Sequence, residues 1–240
     1  ICSEFLPGER YANVCRTDGV PDFGNRQLVV FELTQIKQDK FLSDLVMALI
    51  FDVIHDKILS DRTRRGMIIF DEYAETAQMK SRGEDISIHS AVAFCYQKIR
   101  KENGAVMTIV QSPDQLPDDE FTKGMITNTQ LLYILPTTDV VYRAVEKRFE
   151  MGGDPAQCNM MRSIRNDFSG ERPHSECFIR FTGGQGRYAV VVRNELSREK
   201  FLAFQTDGET WAEIDGYSRT MPMEEAIGRY MERHPSKDRK

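Results

Sequence analysis

No apolar run in this sequence approaches the roughly 20 residues needed to cross a bilayer. Internal repeats, low-complexity tracts and long flexible linkers are also absent. The 240 residues are 40% hydrophobic and 29% charged, a composition typical of a globular protein with a sizeable core. We therefore expect a globular protein without a transmembrane segment, which contacts a membrane only through partners or through sequence upstream.

Cysteine and histidine patterns that bind metals are missing as well. The five cysteines are scattered, and none belongs to a C-x-x-C pair. An odd, scattered set argues against a disulfide framework or a zinc site and favours a reducing cytoplasm. The four histidines, His55, His89, His174 and His234, show no ligand spacing, so each is expected to be structural or surface-exposed.

Positive charge is not in excess, since 32 Lys and Arg stand against 37 Asp and Glu, a net charge of -5. Neutralising nucleic-acid phosphates requires clustered Lys and Arg. The composition therefore disfavours an extensive nucleic-acid surface, although it leaves direct DNA contact open.

The most informative stretch of the chain is Met67–Glu75, which reads MIIFDEYAE and in which a short apolar strand ends in an acidic pair, Asp71 and Glu72. An apolar run bounded by Gly66 suits a buried strand of a parallel sheet, and ligands bind beyond the carboxyl ends of such strands. The pattern is typical of a Walker B element, in which Asp71 holds the magnesium shell and Glu72 orients or deprotonates the attacking water. The alternative is a strand end whose acids are solvated or cap the next helix.

Two later apolar runs also end in polar residues. The run 104–110 leads to Gln111, whose neutral amide can hydrogen-bond a γ-phosphate or the attacking water. The alternative is a turn opener, favoured by Ser112-Pro113. The third run, 130–135, stops at Pro136-Thr137-Thr138-Asp139, which repeats the pattern.

Helical periodicity alternates with these strands. Apolar residues recur at helical steps over 39–59, with Asp39 as an early-turn acid or a cap, and over 88–101, while 28–33 is a further strand candidate. This alternation predicts an α/β fold with a mainly parallel sheet. An antiparallel hairpin is expected near 178–192. We predict an irregular segment over 1–27, a core over 28–196 and a helical segment over 197–240.

In order along the chain, several stretches resemble the conjugation and type IV secretion ATPases, specifically the large TraG/TraC-type transfer ATPases of conjugative elements. They cover about the first 140 residues and comprise LPGERY (6–11), VFEL (30–33), IIFDE (68–72), IRKENG (99–104), VQSPD (110–114) and YILP (133–136). The resemblance implies a RecA-like P-loop NTPase core, ATP and Mg²⁺ as cofactors, and assembly into a hexamer. It also implies partners from the secretion machinery and a cytoplasmic location, peripheral to the inner membrane through those partners.

One departure from the family concerns the phosphate-binding loop. No G-x-x-x-x-G-K-[ST] run occurs, and the glycine-rich stretch 183–187 is better interpreted as the hairpin turn. In the family the P-loop lies upstream of these motifs. We therefore expect the carboxyl-terminal part of a longer ATPase, which is cut after its P-loop, lacks that loop and is inactive as an isolated fragment.

Basic residues form three local sets, at 62–65, 98–101 and 143–148. The usual explanation is a solvated face. The alternative is an arginine finger that reaches a nucleotide on a neighbouring subunit, and Arg100 is the preferred candidate because it precedes the strand leading to Gln111.

Other functions remain open at this point. Within the same fold, the chain could belong to a DNA-translocating coupling protein or a motor of the HerA/FtsK kind. In another class, it could be a non-catalytic interaction domain that docks secretion partners.

Overall fold

The computed structural model describes residues 2–12, 26–36, 38–54, 63–77, 88–168, 173–183 and 186–235. Predictions for the helix beyond 54, for the hairpin tip at 184–185 and for the charged tail after 235 lie outside these ranges. The described part confirms the α/β class, with one parallel and one antiparallel sheet plus helices. It divides into two compact units, Ile1–Gln111 with Leu116–Met125 and Ser112–Gln115 with Ile126–Lys240. The domain boundaries expected from the sequence stay a prediction.

The first unit contains a parallel pair of strands, β1 (Gly66–Phe70) and β2 (Gly104–Thr108). Its helices are α1 (Lys40–Ile54), α2 (Tyr73–Ala77) and α3 (Ile88–Lys98), together with the first residues of α4 (Glu120–Asn128). One face of the strand pair packs on α1 and α3, because Ile68 and Phe70 lie on the same face of β1 and apolar side chains recur at helical spacing in the helices. The buried cluster consists of Met47, Ile50, Ile54, Ile68, Cys95 and Ile99.

Helix α1 begins where the sequence predicts it. The backbone N–H of Leu42 donates to the Asp39 carboxylate at 3.2 Å, as expected of a cap. Tyr11 donates to the same carboxylate at 2.7 Å, and Arg10 forms an ion pair with it at 2.8 Å. Asp39 thus ties the described amino-terminal residues to this helix, and hydrogen bonds from Tyr11 and Leu42 lower the pKa of its carboxyl group.

The predicted strand over 28–33 is wrong, because the structure shows irregular backbone there. Leu28 and Val30 are 80% and 76% exposed. A strand is stabilised by a hydrogen-bonded neighbour, and no described strand pairs with this segment. An apolar composition alone therefore does not make it a strand.

A glycine is required where α3 connects to β2. After α3 the chain forms a 3₁₀ turn, Ile99–Glu102, and passes through Asn103 at a φ of 57°. A Cβ on Gly104 would lie 2.5 Å from Cγ1 and 3.3 Å from the carbonyl oxygen of Ile99. Only glycine allows the strand to start this close to the end of the helix.

The second unit contains an antiparallel sheet in which β5 (His174–Gly183) is central. It pairs with β3 (Leu131–Ile134), with β4 (Asn166–Asp167) and with β6 (Gly186–Glu195). The predicted hairpin is confirmed as β5–β6. The third polar-ended run, β3, therefore joins this antiparallel sheet and does not extend the parallel pair, because its backbone partners come from β5.

Helices α5 (Asp139–Arg148) and α6 (Pro155–Ser163) pack on one face of this sheet. Phe178 is fully buried there, and six other side chains surround it: Ile134, Tyr142, Val145, Met151, Met161 and Ile164. Three further helices, α7 (Arg198–Ala203), α8 (Gly208–Ser218) and α9 (Met223–Arg233), bury a small cluster of their own. Pro222 directly precedes α9, where its fixed φ suits the start of a helix.

An ion-pair cluster joins α5 to α6. The Arg162 guanidinium donates two hydrogen bonds to Glu146, at 2.8 and 2.9 Å, and also pairs with Asp139, which in turn pairs with Arg143. Hydrogen bonds from Arg162 hold the pKa of Glu146 below its usual range. A bidentate pair of this kind fixes the two helices more firmly than a single contact would.

The cluster predicts a pH-dependent loss of stability in Arg162→Met. A carboxyl group with a lowered pKa stabilises the fold above its unfolded pKa, about 4.3 for Glu, and this contribution disappears as the pH falls through the folded value. We expect the variant to melt several degrees below the parent at pH 7 and close to it at pH 2.5. Calorimetry at both pH values measures this. Arg219→Met, which removes an exposed pair with Asp215, is the control and should change little. A deficit independent of pH would contradict the assignment.

Candidate functional site

The parallel pair brings the predicted carboxylates and amide to one edge of the first unit. In the observed register Phe70 lies opposite Thr108, so both strands end at the same edge. Asp71 and Glu72 follow Phe70 directly, and Gln111 follows Thr108 by three residues. All three side chains are exposed. The two segments therefore meet where a parallel sheet presents its ligand-binding edge.

Backbone hydrogen bonds define the acidic turn. The N–H of Ile109 donates to the carbonyl of Phe70 at 2.9 Å, and the N–H of Tyr73 donates to the carbonyl of Ile109 at 3.0 Å. These bonds continue the β1–β2 pairing past the acidic pair. Asp71 and Glu72 thus occupy a two-residue excursion between fixed points.

Glu72 adopts the left-handed region, with a φ of 48°. This conformation is uncommon for a residue with a Cβ and marks positions where the surroundings determine the backbone. The Asp71 carboxylate accepts the Glu72 N–H at 2.9 Å, which satisfies a donor that the turn leaves out of the ladder. The Asp71 side chain thus holds the backbone of the residue that follows it in the turn.

Gln111 lies two residues before a short 3₁₀ turn, Pro113–Gln115. The N–H of Ser112 donates to the Gln115 side chain at 3.3 Å, and the N–H of Gln115 donates to the Ser112 carbonyl at 3.1 Å. Ser112-Pro113 does open a turn, as one interpretation of the sequence holds. The exposed Gln111 amide remains a candidate phosphate sensor beside that turn.

Arg100 lies at the other end of the sheet. It belongs to the 3₁₀ turn that precedes β2, and it is exposed. The strand from Gly104 to Thr108 has a rise of about 3.3 Å per residue, so roughly 13 Å separates its two ends. The structure does not bring Arg100 to the edge that carries Asp71, Glu72 and Gln111. An arginine-finger role is compatible only with a nucleotide held by another subunit.

The third polar turn follows a strand of the other sheet. Thr138 precedes α5, and Asp139 forms ion pairs with Arg143 and Arg162. Its strand, β3, belongs to the antiparallel sheet. Of the three strands expected to be parallel and to end in polar residues, two therefore form a parallel pair. Asp139 has a structural role in its ion pairs.

A buried polar network behind the acidic turn is not evident from the sequence. The Tyr73 hydroxyl lies 2.7 Å from Nδ1 of His89, and Nε2 of His89 lies 3.2 Å from Oδ1 of Asp119 and 3.1 Å from Oγ1 of Thr122. Tyr73, His89 and Thr122 are 0%, 3% and 0% exposed. The sequence predicts that His89 is either structural or surface-exposed, and the structure shows that it is buried. A possible signal was the tyrosine directly after the acidic pair, at the start of a short helix.

The protonation of this network follows from burial and hydrogen bonding. Burial raises the pKa of the Tyr73 hydroxyl, which therefore stays protonated. Burial alone would raise the pKa of Asp119, but hydrogen bonds from the Thr122 N–H and from His89 outweigh it and lower that pKa. The ionised Asp119 can only accept hydrogen bonds, so Nε2 of His89 carries a proton towards it.

Within the described ranges, no group of three or more His, Cys, Asp or Glu side chains could hold a metal ion by itself. A magnesium ion needs only one or two carboxylates when nucleotide phosphates complete its shell, so this finding is compatible with Asp71 as a single ligand. Among the described helices, none combines the length and apolarity of a membrane-crossing segment.

Comparison with known proteins gives a family match and likenesses to solved structures. Residues 2–234 match the family model of the TraG P-loop domain. Among solved structures, the chain is similar to one described as the bacterial conjugative coupling protein TrwBdeltaN70 in an unbound monoclinic form, with 16% identity and a TM-score of 0.34. That likeness covers 72% of this chain and 34% of the coupling protein's chain, so this chain spans about a third of its length. No curated protein matches.

Proposed function

We propose, because this chain belongs to the TraG P-loop domain family, that it forms part of an ATPase that drives transfer of DNA or protein across the cell envelope in conjugation. The observation that carries the proposal is the shared edge of β1 and β2, where an acidic pair and an amide follow adjacent parallel strands. Phosphoryl transfer requires these groups at one place.

Each side chain has a distinct role in the proposal. Asp71 holds the hydration shell of Mg²⁺, and Glu72 orients or deprotonates the attacking water. Gln111 hydrogen-bonds the γ-phosphate or that water without adding negative charge. When bound, Mg²⁺ neutralises charge that develops on the phosphates.

The described residues fit the metal and the water but not the phosphates. The 240 residues contain no G-x-x-x-x-G-K-[ST] run, whose amides and lysine grip the triphosphate. We infer that a P-loop outside these residues supplies that grip, and that the 240-residue chain alone binds ATP weakly and does not hydrolyse it.

Assembly and location complete the proposal. A hexamer would allow Arg100, which is remote from its own chain's edge, to reach a nucleotide on a neighbour. Other proteins of the secretion machinery would be its partners, and they would hold a cytoplasmic ATPase peripherally at the inner membrane. A net charge of -5 does not by itself indicate direct DNA binding.

Magnesium-dependent ATP hydrolysis by the full-length protein tests the proposed function. We expect Asp71→Asn to raise the Mg²⁺ concentration required for half-maximal activity about 10- to 100-fold, because a neutral amide binds the metal shell less tightly. Asp118→Asn, at another exposed aspartate of the first unit, is the matched control. A full-length protein without turnover would favour the interaction-domain alternative.

A further inference from the structure

We propose that Tyr73, held by His89, is a positioning residue for Glu72. This inference rests on the proposed function, because it assigns a role relative to the residue that acts on water. Neither Tyr73 nor His89 contacts the reacting groups in the proposal. Their effect passes through the backbone between Tyr73 and Glu72.

The anchor is strong because it is buried and hydrogen-bonded. The Tyr73 ring is fully buried among Ala77, Val92, Ala93 and Met125. Its hydroxyl has a partner in the 2.7 Å contact with Nδ1 of His89. If the ring moved away from His89, its buried hydroxyl would have to give up this hydrogen bond, which would destabilise the fold. The ring therefore has one strongly preferred position.

The carboxylate at the end of the network orders the hydrogen bonds. Asp119 can only accept, so Nε2 of His89 donates to it, while Nδ1 of the same ring lies 2.7 Å from the Tyr73 hydroxyl. One imidazole thus holds the Tyr73 hydroxyl and the Asp119 carboxylate at the same time.

The strained backbone of Glu72 gives the anchor its function. Glu72 holds a φ of 48°, which a non-glycine residue leaves readily unless both neighbours are fixed. On one side, the Asp71 carboxylate accepts the N–H of Glu72. On the other side, Tyr73 is fixed by its buried ring and by the hydrogen bond from its N–H to the carbonyl of Ile109. Loosening the ring would therefore let the Glu72 carboxylate move.

The same network reaches the segment that follows Gln111. Asp119 accepts the N–H of Thr122 at 2.8 Å, where α4 begins, and both residues contact His89. One histidine thus connects the turn after β1 with the chain that leaves β2. A shift of the turn after β1 would therefore displace the chain that leaves β2, because both contact the buried His89.

Substitution of single hydroxyl groups in the full-length ATPase tests the proposal. We expect Tyr73→Phe to lower kcat about 10- to 100-fold and to leave KM for ATP within about twofold, because misplacement of a reacting group affects the chemical step. Tyr142→Phe is the matched control. Tyr142 is also a buried tyrosine, its hydroxyl accepts the N–H of Thr137 at 3.2 Å, and it lies in the second unit. Both variants should lose thermal stability, but only the first should lose kcat.

A double variant separates positioning from general damage. If Tyr73 acts through Glu72, Glu72→Gln with Tyr73→Phe should be no slower than Glu72→Gln alone. Losses that multiply would overturn the inference, and so would an unchanged kcat in Tyr73→Phe when Glu72→Gln is inactive. Full turnover in Glu72→Gln would remove Glu72 from the chemistry, and the inference with it, whereas no turnover in the parent would overturn the proposed function itself.

Discussion

Glu72→Gln is expected to lower kcat for ATP hydrolysis by the full-length protein about 10²- to 10⁴-fold, the usual contribution of a general base. The substitution keeps the size of the side chain and the exposed position, but it removes the charge that attracts a proton from water. The amide still permits the backbone conformation at this position as well as glutamate does. ATP binding should therefore persist.

Steady-state hydrolysis, together with binding of a fluorescent ATP analogue, measures this outcome. Glu75→Gln is the matched control, since Glu75 is another exposed glutamate in the same segment, on α2. A kcat for Glu72→Gln close to that of the parent would remove Glu72 from the chemistry. Loss of ATP binding would assign it to the nucleotide site instead.

Phe178→Ala is expected to have the largest effect on stability. Phe178 is fully buried at the centre of the second unit's core, between β3 and the helices α5 and α6. Removal of a buried phenylalanine side chain costs about 3–5 kcal/mol through lost burial and the cavity that remains. This is a large part of the 5–15 kcal/mol that stabilises most domains.

Urea unfolding of the 240-residue chain, followed by circular dichroism, tests the effect. Phe204→Ala is the matched control, because Phe204 is in the same unit and is 78% exposed. Its substitution should change the free energy of unfolding by less than about 0.5 kcal/mol. Equal losses of unfolding free energy in the two variants would show that Phe178 does not support a core of the second unit.

Local sequence signals predict much of the site. The turn after β1 and the end of β2 follow apolar runs that stop at polar residues, and a parallel register places such ends together. Caps are similarly local, as at Asp39 and at Asp154, where the carboxylate accepts the Gln157 N–H at 3.0 Å. These features depend on residues within a few positions of one another.

Features that depend on distant partners are not predictable in this way. The segment 28–33 resembles a strand in composition but has no described strand beside it. Strand β3 pairs with β5, whose residues lie 44 positions later in the Ile134–Phe178 pair and 50 later in the Leu131–Phe181 pair. His89 contacts residues 16, 30 and 33 positions away. Nothing in its immediate neighbours indicates that it bridges the starts of α2 and α4.

The left-handed backbone at Glu72 has an evolutionary consequence. A residue with a Cβ costs about 1–2 kcal/mol in this region, whereas glycine adopts it freely. Selection for thermal robustness alone would thus replace the acid with glycine, so retention of a carboxylate at this position in natural variants would indicate a trade-off in which chemistry outweighs durability.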